Sequence, residues 1–441
     1  MRRGVWLAWT VLLLGAASPR PASADGKAEV LVFDNGLTVV LRVVRSASSV
    51  GVVTALPFGR DLDVAGGRGL AEVVVRTFAT AAAGSFEARP PLSLQAISKD
   101  GTRERSVTVE RRHATVRVLV AGPAQVPAAL EEVSARLGAL AATEAQFASV
   151  RDALAEGRQP PAAWPSASLA EHAARQAARG EPWDVDPIGS TADLGRLRWE
   201  DVRAVLAARC VPRGAVVAVV GDFDAGAVRA LAQKRLKPLA SPPAAATAPE
   251  PPPGAPAAPP ADPTVVRRSG GPATTAAASD AAVALLATGT AVPADLAPVL
   301  VLAARLHAPE RAAGIDGFAV AHDVLDDPFL VVARAPVPSG KDATAAATAL
   351  RARFPAAARG AVGAKDVLAV RFWYAAALGL PLVDGSRGLD VVETAALDAR
   401  RTMLGWDGAA ILAAVQRTKE ADLRRLVDEA TVRGAVTVPG G

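Results

Sequence analysis

The sequence predicts an α+β protein built from two similar halves, each a mainly antiparallel sheet packed with helices, joined by a proline-rich linker. The linker is the first sign. Ser241 to Pro263 holds ten prolines in 23 residues, which removes backbone donors and favours extended polyproline II over a helix or an inner strand. The second sign is repetition. Glu200-Asp201-Val202-Arg203 leads through a helix to Arg213-Gly214-Ala215-Val216, and Ala421-Asp422-Leu423-Arg424 leads to Arg433-Gly434-Ala435-Val436. Similarly, Thr115 to Pro123 and Phe329 to Pro338 are apolar strands that each precede a helical stretch, 127–140 and 342–354. Paired landmarks in one order are the mark of an internal duplication. The third sign is the alternation of valine-rich strand runs with apolar-periodic helical runs, which suits helices on an antiparallel sheet.

Taken in order, the chain opens with Met1-Arg2-Arg3, an apolar run of 14 residues from Gly4 to Ala17, and Ala22-Ser23-Ala24 before Asp25. A basic start, an apolar core too short for a membrane span and a small-x-small end describe a secretory leader over residues 1–24. Residues 25–240 then form the first α+β half, 241–263 the Pro/Ala-rich linker, and 264–441 the second half. At more than 400 residues the mature chain exceeds one ordinary core. Strands are expected in the first half at 28–33, 38–44, 50–57, 106–110, 115–121 and 215–220, with Asn35-Gly36 as a hairpin turn. Helices are expected at 70–83, 127–140, 144–156, 167–178, 200–208 and 225–236, and in the second half at 367–378.

Composition narrows the function. The formal charge of +5, less the three arginines of the leader (Arg2, Arg3 and Arg20), leaves +2, and no basic run clusters. That is no footprint for nucleic acid. Cys210 is the only cysteine, so neither an internal disulfide nor a cysteine-rich metal site can form. Its apolar helical setting reads as a small buried hydrophobe. No membrane span is expected once the leader is removed.

Phe33 to Arg42 (FDNGLTVVLR), Pro57 to Asp61 (PFGRD) and Gly67 to Glu72 (GRGLAE), in that order, resemble the first module of the insulinase/pitrilysin family, which includes the mitochondrial processing peptidases. Trp183 to Asp224, which runs WDVDPIGSTADLGRLRWEDVRAVLAARCVPRGAVVAVVGDFD, is similar to the family's most specific block in content and spacing. The resemblance covers most of residues 28–238 well and 264–441 loosely. It implies two similar α+β halves facing each other across a chamber.

In active members the helix after GLA begins H-x-x-E-H. Two histidines on one helical face bind zinc and the glutamate activates the metal-bound water. A third ligand, a glutamate, follows about 75 residues on. Laid on Gly69-Leu70-Ala71, this chain has Glu72, Val75 and Arg76 at those three positions, and Arg151 and Asp152 in the distal region. Valine takes no proton, and arginine stays charged and does not coordinate metal. Glu72 and Arg76 have the spacing of a helical ion pair, worth about 0.3–0.5 kcal/mol where exposed. The four histidines, His113, His172, His307 and His322, rebuild no such motif. Pro309 breaks the H-x-x-E spacing of His307 and Glu310, and Glu171-His172 reads as a solvated pair. Active relatives also carry an arginine and a tyrosine in their second half. Here Leu306 is followed at once by HAPERAAGIDGF, and the sole tyrosine, Tyr374, lies in the apolar run 367–378 as a core residue.

The resemblance therefore implies an exported, non-catalytic homologue without zinc, in the periplasm by analogy with bacterial relatives. It would pair with an active insulinase-family subunit and help to enclose extended peptides. An active zinc metallopeptidase with an unrecognised site and a stand-alone peptide-binding envelope protein remain the alternatives. Cleavage is expected after Ala24, so N-terminal sequencing of the exported protein should begin at Asp25; an intact Met1 would contradict the leader.

Overall fold

The computed structural model of the chain describes residues 27–45, 47–63, 67–81, 86–88, 95–98, 103–138, 142–156, 166–180, 188–241, 262–268, 279–287, 292–307, 319–323, 329–338, 340–380 and 390–439. The expected leader (1–24) and residues 242–261 of the expected linker lie outside them, as does the segment 308–318.

Two sheets form the framework. The first has eight strands: β1 (Glu29–Val32), β2 (Thr38–Val43), β3 (Val50–Leu56), β4 (Phe86–Ala88), β5 (Gln95–Ser98), β6 (Arg103–Val109), β7 (Ala114–Val120) and β8 (Val216–Gly221). Their order is β1-β2-β8-β3-β7-β6-β5-β4. The second has five: β9 (Thr264–Arg268), β10 (Ser279–Ala287), β11 (Ala319–Asp323), β12 (Phe329–Val337) and β13 (Thr431–Pro439). Read from its opposite edge, its order is β9-β13-β10-β12-β11. That repeats β2-β8-β3-β7-β6 strand for strand. The polarity repeats too, since β2 with β8 and β9 with β13 are the parallel pairs and the other pairs are antiparallel. The α+β class and the mainly antiparallel sheets stand as read from the sequence.

The helices are α1 (Leu70–Thr80), α2 (Val126–Gly138), α3 (Glu144–Glu156), α4 (Ser166–Arg179), α5 (Thr191–Arg196), α6 (Trp199–Arg209) and α7 (Ala225–Arg235) in the first half. The second half has α8 (Pro293–Leu306), α9 (Ala343–Ala357), α10 (Ala364–Leu378), α11 (Val391–Met403), α12 (Gly408–Arg417) and α13 (Glu420–Glu429). The repeated RGAV landmark differs between the halves. Val216 opens β8, after Gly214 turns the chain at φ +76°, whereas Arg433 to Val436 lie inside β13.

Each sheet is apolar on both faces. Val217 and Val219 face the core of α1, α2, α6 and α7, while Val216, Ala218 and Val220 face the other way. A strand without a polar face must be covered on both sides. The second cover comes from the opposite half. Helix α11 lays Val391, Ala395, Ala396 and Ala399 on the first sheet, against Val40, Val53, Ala55 and Val220. Helix α4 lays Leu169, Ala170, Ala173, Ala174 and Ala178 on the second, against Ala282, Ala284, Leu286 and Val332. Gly51 on β3 makes room for α11, because a Cβ there would stand 2.6 Å from the Val391 carbonyl oxygen. The Glu171-His172 pair is consequently not solvated. Glu171 accepts from Arg175 of its own helix and pairs with Arg334 of β12 at 3.5 Å.

Polar contacts fix this exchange. Arg42 of β2 grips Asp398 of α11 with Nε at 2.6 Å and Nη2 at 3.0 Å, and Arg401 binds the same carboxylate. Asp398 is 1% exposed and Arg42 7%. On equivalent strands, Arg117 of β7 reaches Glu393 of α11 and Arg334 of β12 reaches Glu171 of α4, each at 3.5 Å. The two ends of the linker are also held. Asn35 in the β1–β2 turn donates to the Leu236 carbonyl at 2.8 Å and accepts from Ser241 Oγ at its own carbonyl, at 2.6 Å. Asp262 accepts from Gly434 N at 2.9 Å and pairs with Arg351 and Arg433.

Removing one member of a buried ion pair strands the other charge, at a cost of roughly 3–5 kcal/mol, while exposed pairs contribute about 0–1 kcal/mol. Asp398→Ala is therefore expected to destabilise the protein by about 3–5 kcal/mol, and Glu393→Ala on the same helix by less than about 1 kcal/mol. Denaturant midpoints of the two variants check this ranking.

Candidate functional site

Helix α1 starts where the sequence places it. Gly69 sits at φ +80° as its N-cap, a conformation that glycine adopts without strain. A Cβ at Gly69 would meet the Ile188 carbonyl oxygen at 2.0 Å, and one at Gly189 would meet the Arg68 carbonyl oxygen at 2.9 Å. The two glycines thus let the GRGLA and PIGS stretches interlock. Ser190 and Asp193 close a capping box on α5 directly behind them. Asp63 accepts from Ala71 N at 2.9 Å at the start of α1. Burial pushes the Asp63 carboxyl up to about 7, against the opposing pull of the Ala71 amide and of Arg60.

Helix α1 is buried on nearly every side, with Ala71, Val73, Val74, Val75, Thr77 and Phe78 all inaccessible. Its C-terminal end is tied down twice. Gln146 of α3 donates to the Thr80 carbonyl at 3.3 Å, and Arg105 of β6 donates to the Ala79 carbonyl. The helix is therefore a fully seated core element. Glu72 and Arg76 meet across one turn, with Arg76 Nε at 2.9 Å and Nη2 at 2.6 Å from the same oxygen, Glu72 Oε1. Their side chains are only 9% and 13% exposed. The helical ion pair that the spacing predicts is present and mostly buried, because α1 lies inside the first core rather than on its surface.

The distal residues do not join it. Phe147 and Leu154 of α3 point inward. Arg151 lies over the Phe147 ring at 5.3 Å and binds the neighbouring Asp152 at 3.0 Å, on a carboxylate that is 59% exposed. The structure thus brings Glu72 and Arg76 together, and leaves Arg151 and Asp152 with each other. A zinc ion does not fit Glu72, Val75 and Arg76. One position has no donor atom, one carries a permanent positive charge, and the Glu72 oxygen is already engaged. Among the described residues no three His, Cys, Asp or Glu side chains lie together to hold a metal ion.

The remaining candidates are structural. His113, in the β6–β7 turn, is pulled down to about 3 by burial, with Arg400 of α11 and Arg117 adding repulsion. His172 on α4 is pulled down to about 4 by burial, then by Arg60, Arg175 and Arg179. Both histidines therefore stand neutral where the halves meet. His307 stacks on Trp373 at 4.2 Å, and His322 lies on β11. Cys210 and Tyr374 are buried, and burial pushes both side-chain pKa values up. No helix among the described residues is long and apolar enough to cross a membrane. The reciprocal pair α4 and α11 was not foreseen. The unbroken apolar run Val216 to Val220 carried its signal, because a strand with no polar face needs two covers.

A depressed histidine pKa stabilises the fold above the unfolded value and loses that contribution as pH falls towards the folded value. The His113 contribution is thus complete above about 6.5 and is lost as pH falls towards about 3. His113→Gln is expected to flatten the acid limb of the stability–pH curve in that window, measured by thermal unfolding at a series of pH values.

No family model matches the sequence, and no curated relative does. Solved structures do match. A protease from Helicobacter pylori superimposes with a TM-score of 0.63 at 16% identity, over 94% of this chain and 100% of that one. A peptidase M16 inactive domain from Pseudomonas fluorescens gives 0.63 at 13%, over 94% and 98%. The periplasmic protease PqqL from Escherichia coli gives 0.63 at 14% over 95% of this chain, which spans 48% of that longer protein. The chain has the two-halved fold of M16-like peptidases.

Proposed function

We propose that this protein is an exported, non-catalytic homologue of the M16-like peptidases that pairs with an active zinc-bearing chain and helps to enclose extended peptides. The observation that carries the reading is helix α1. It keeps its entry glycine, its seat in the core and its packing against α3 and α6, yet it presents a closed Glu72–Arg76 pair and the apolar Val75 where hydrolysis needs ligands and a base. Two structural likenesses support it. An M16 domain described as inactive shares the fold, and a periplasmic protease of about twice the length contains a stretch of this fold. A chain of this size can stand beside a second such unit without carrying the chemistry itself.

The test is co-expression with an H-x-x-E-H-bearing relative from the same organism, followed by tagged capture and size-exclusion chromatography. A one-to-one complex is expected, with peptide cleavage residing in the partner. Stoichiometric zinc in the isolated protein, together with chelator-sensitive peptide cleavage, would overturn the reading.

A further inference from the structure

We infer that Arg76 is a tethered counter-cation that takes the metal's electrostatic place on α1 and closes the helix to divalent ions. The inference deepens the non-catalytic reading and rests on it. It goes further in assigning the closure to one residue and one charge, rather than to missing ligands alone.

The geometry is specific. Both Arg76 donors converge on Glu72 Oε1, and the two side chains are 13% and 9% exposed. The neighbouring positions Val73 and Val75 on the helix are inaccessible. A carboxylate in such surroundings without a partner is pushed towards its neutral form. The guanidinium removes the conflict. It cannot lose its proton, and its planar fork fits a carboxylate. A divalent ion arriving here would meet a fixed positive charge, find the one carboxylate engaged, and gain nothing from Val75. Zinc sites need three or four donors converging in tetrahedral geometry. Exclusion thus has two causes, the missing donors and the fixed charge of the ion pair, and loss of that charge would also cost stability.

The test is a double-mutant cycle of Arg76→Met and Glu72→Gln in the full-length protein, read by thermal unfolding with and without zinc. Arg76→Met is expected to lower Tm by about 5 °C or more, as breaking a buried pair does, and the double variant is expected to return to within about 2 °C of the wild type. Should Arg76→Met fail to fold, recovery of a folded double variant carries the same meaning. A double variant as damaged as the single would show that the packing of the arginine matters and not its charge, and would overturn the inference. So would an Arg76→Met protein as stable as the wild type, or a zinc-dependent rise in wild-type Tm. The readout is separate from partner capture: a failure to bind a peptidase leaves the cycle unchanged, and a null cycle leaves the capture result standing.

Discussion

A β-sheet has two faces, and each half of this protein covers only one of its own with its own helices. The strands carry apolar side chains on both faces, so half of each sheet's buried surface has to be found elsewhere. It is found in the opposite half. Helix α11 lies on the first sheet and α4 on the second, each through a row of alanines that lets the helix sit close over the valines below. Neither sheet is dry on both sides until the other half is in place. The hydrophobic term is the dominant one in folding, and here a large share of it is realised only between halves.

The polar contacts at this junction follow from the same arrangement. Arg42 points from the α11 side of the first sheet into a surface that would be solvated in an isolated half, and in the whole protein it is buried against Asp398. Arg42 and Arg401 share the one Asp398 carboxylate, which offsets part of the desolvation of both and has its own offset by them. His113 stands beside the same helix, and burial, reinforced by Arg400, keeps it neutral. Equivalent strands reach out with Arg117 and Arg334 to glutamates on α11 and α4. A duplicated half thus carries a duplicated way of holding its counterpart.

Helix α1 combines an apolar seat with one closed polar pair. Several features seat the helix: the left-handed Gly69, the cap from Asp63, the interlock with Ile188 and Gly189, and the burial of Val73, Val75 and Phe78. What fills the remaining polar space is a pair that satisfies itself. Glu72 and Arg76 leave no donor set open, and Val75 adds only packing. The packing residues and the polar residues lie on the same eleven-residue helix, but they answer to different forces, apolar burial for one set and charge pairing for the other.

Much of the fold was legible from local pattern. The hairpin at Asn35-Gly36, the strand at 114–120, the helix at 70–80 and the helix at 144–156 all lie within a few residues of their expected places. Local turn chemistry and apolar period govern such elements, and both are written in consecutive residues. The identities of Glu72, Val75 and Arg76 on that helix were equally plain, since the identity of a side chain needs no coordinates. Less visible were β4, β5 and α5, whose short runs give period little to act on, and α11, α12 and α13 as separate helices. Burial was legible for apolar runs, as at Cys210 and Tyr374, but not for the charged pairs. The i, i+4 spacing of Glu72 and Arg76 announces an ion pair, but only the seat of α1 inside the core makes it a buried one. Glu171 and His172 look like a solvated pair until α4 is found lying on the opposite sheet. Spacing along a chain is a local property and fixes which groups can meet. How far they are removed from water depends on contacts between residues hundreds of positions apart, such as Arg42 with Asp398, and those exist only once both halves have closed on each other.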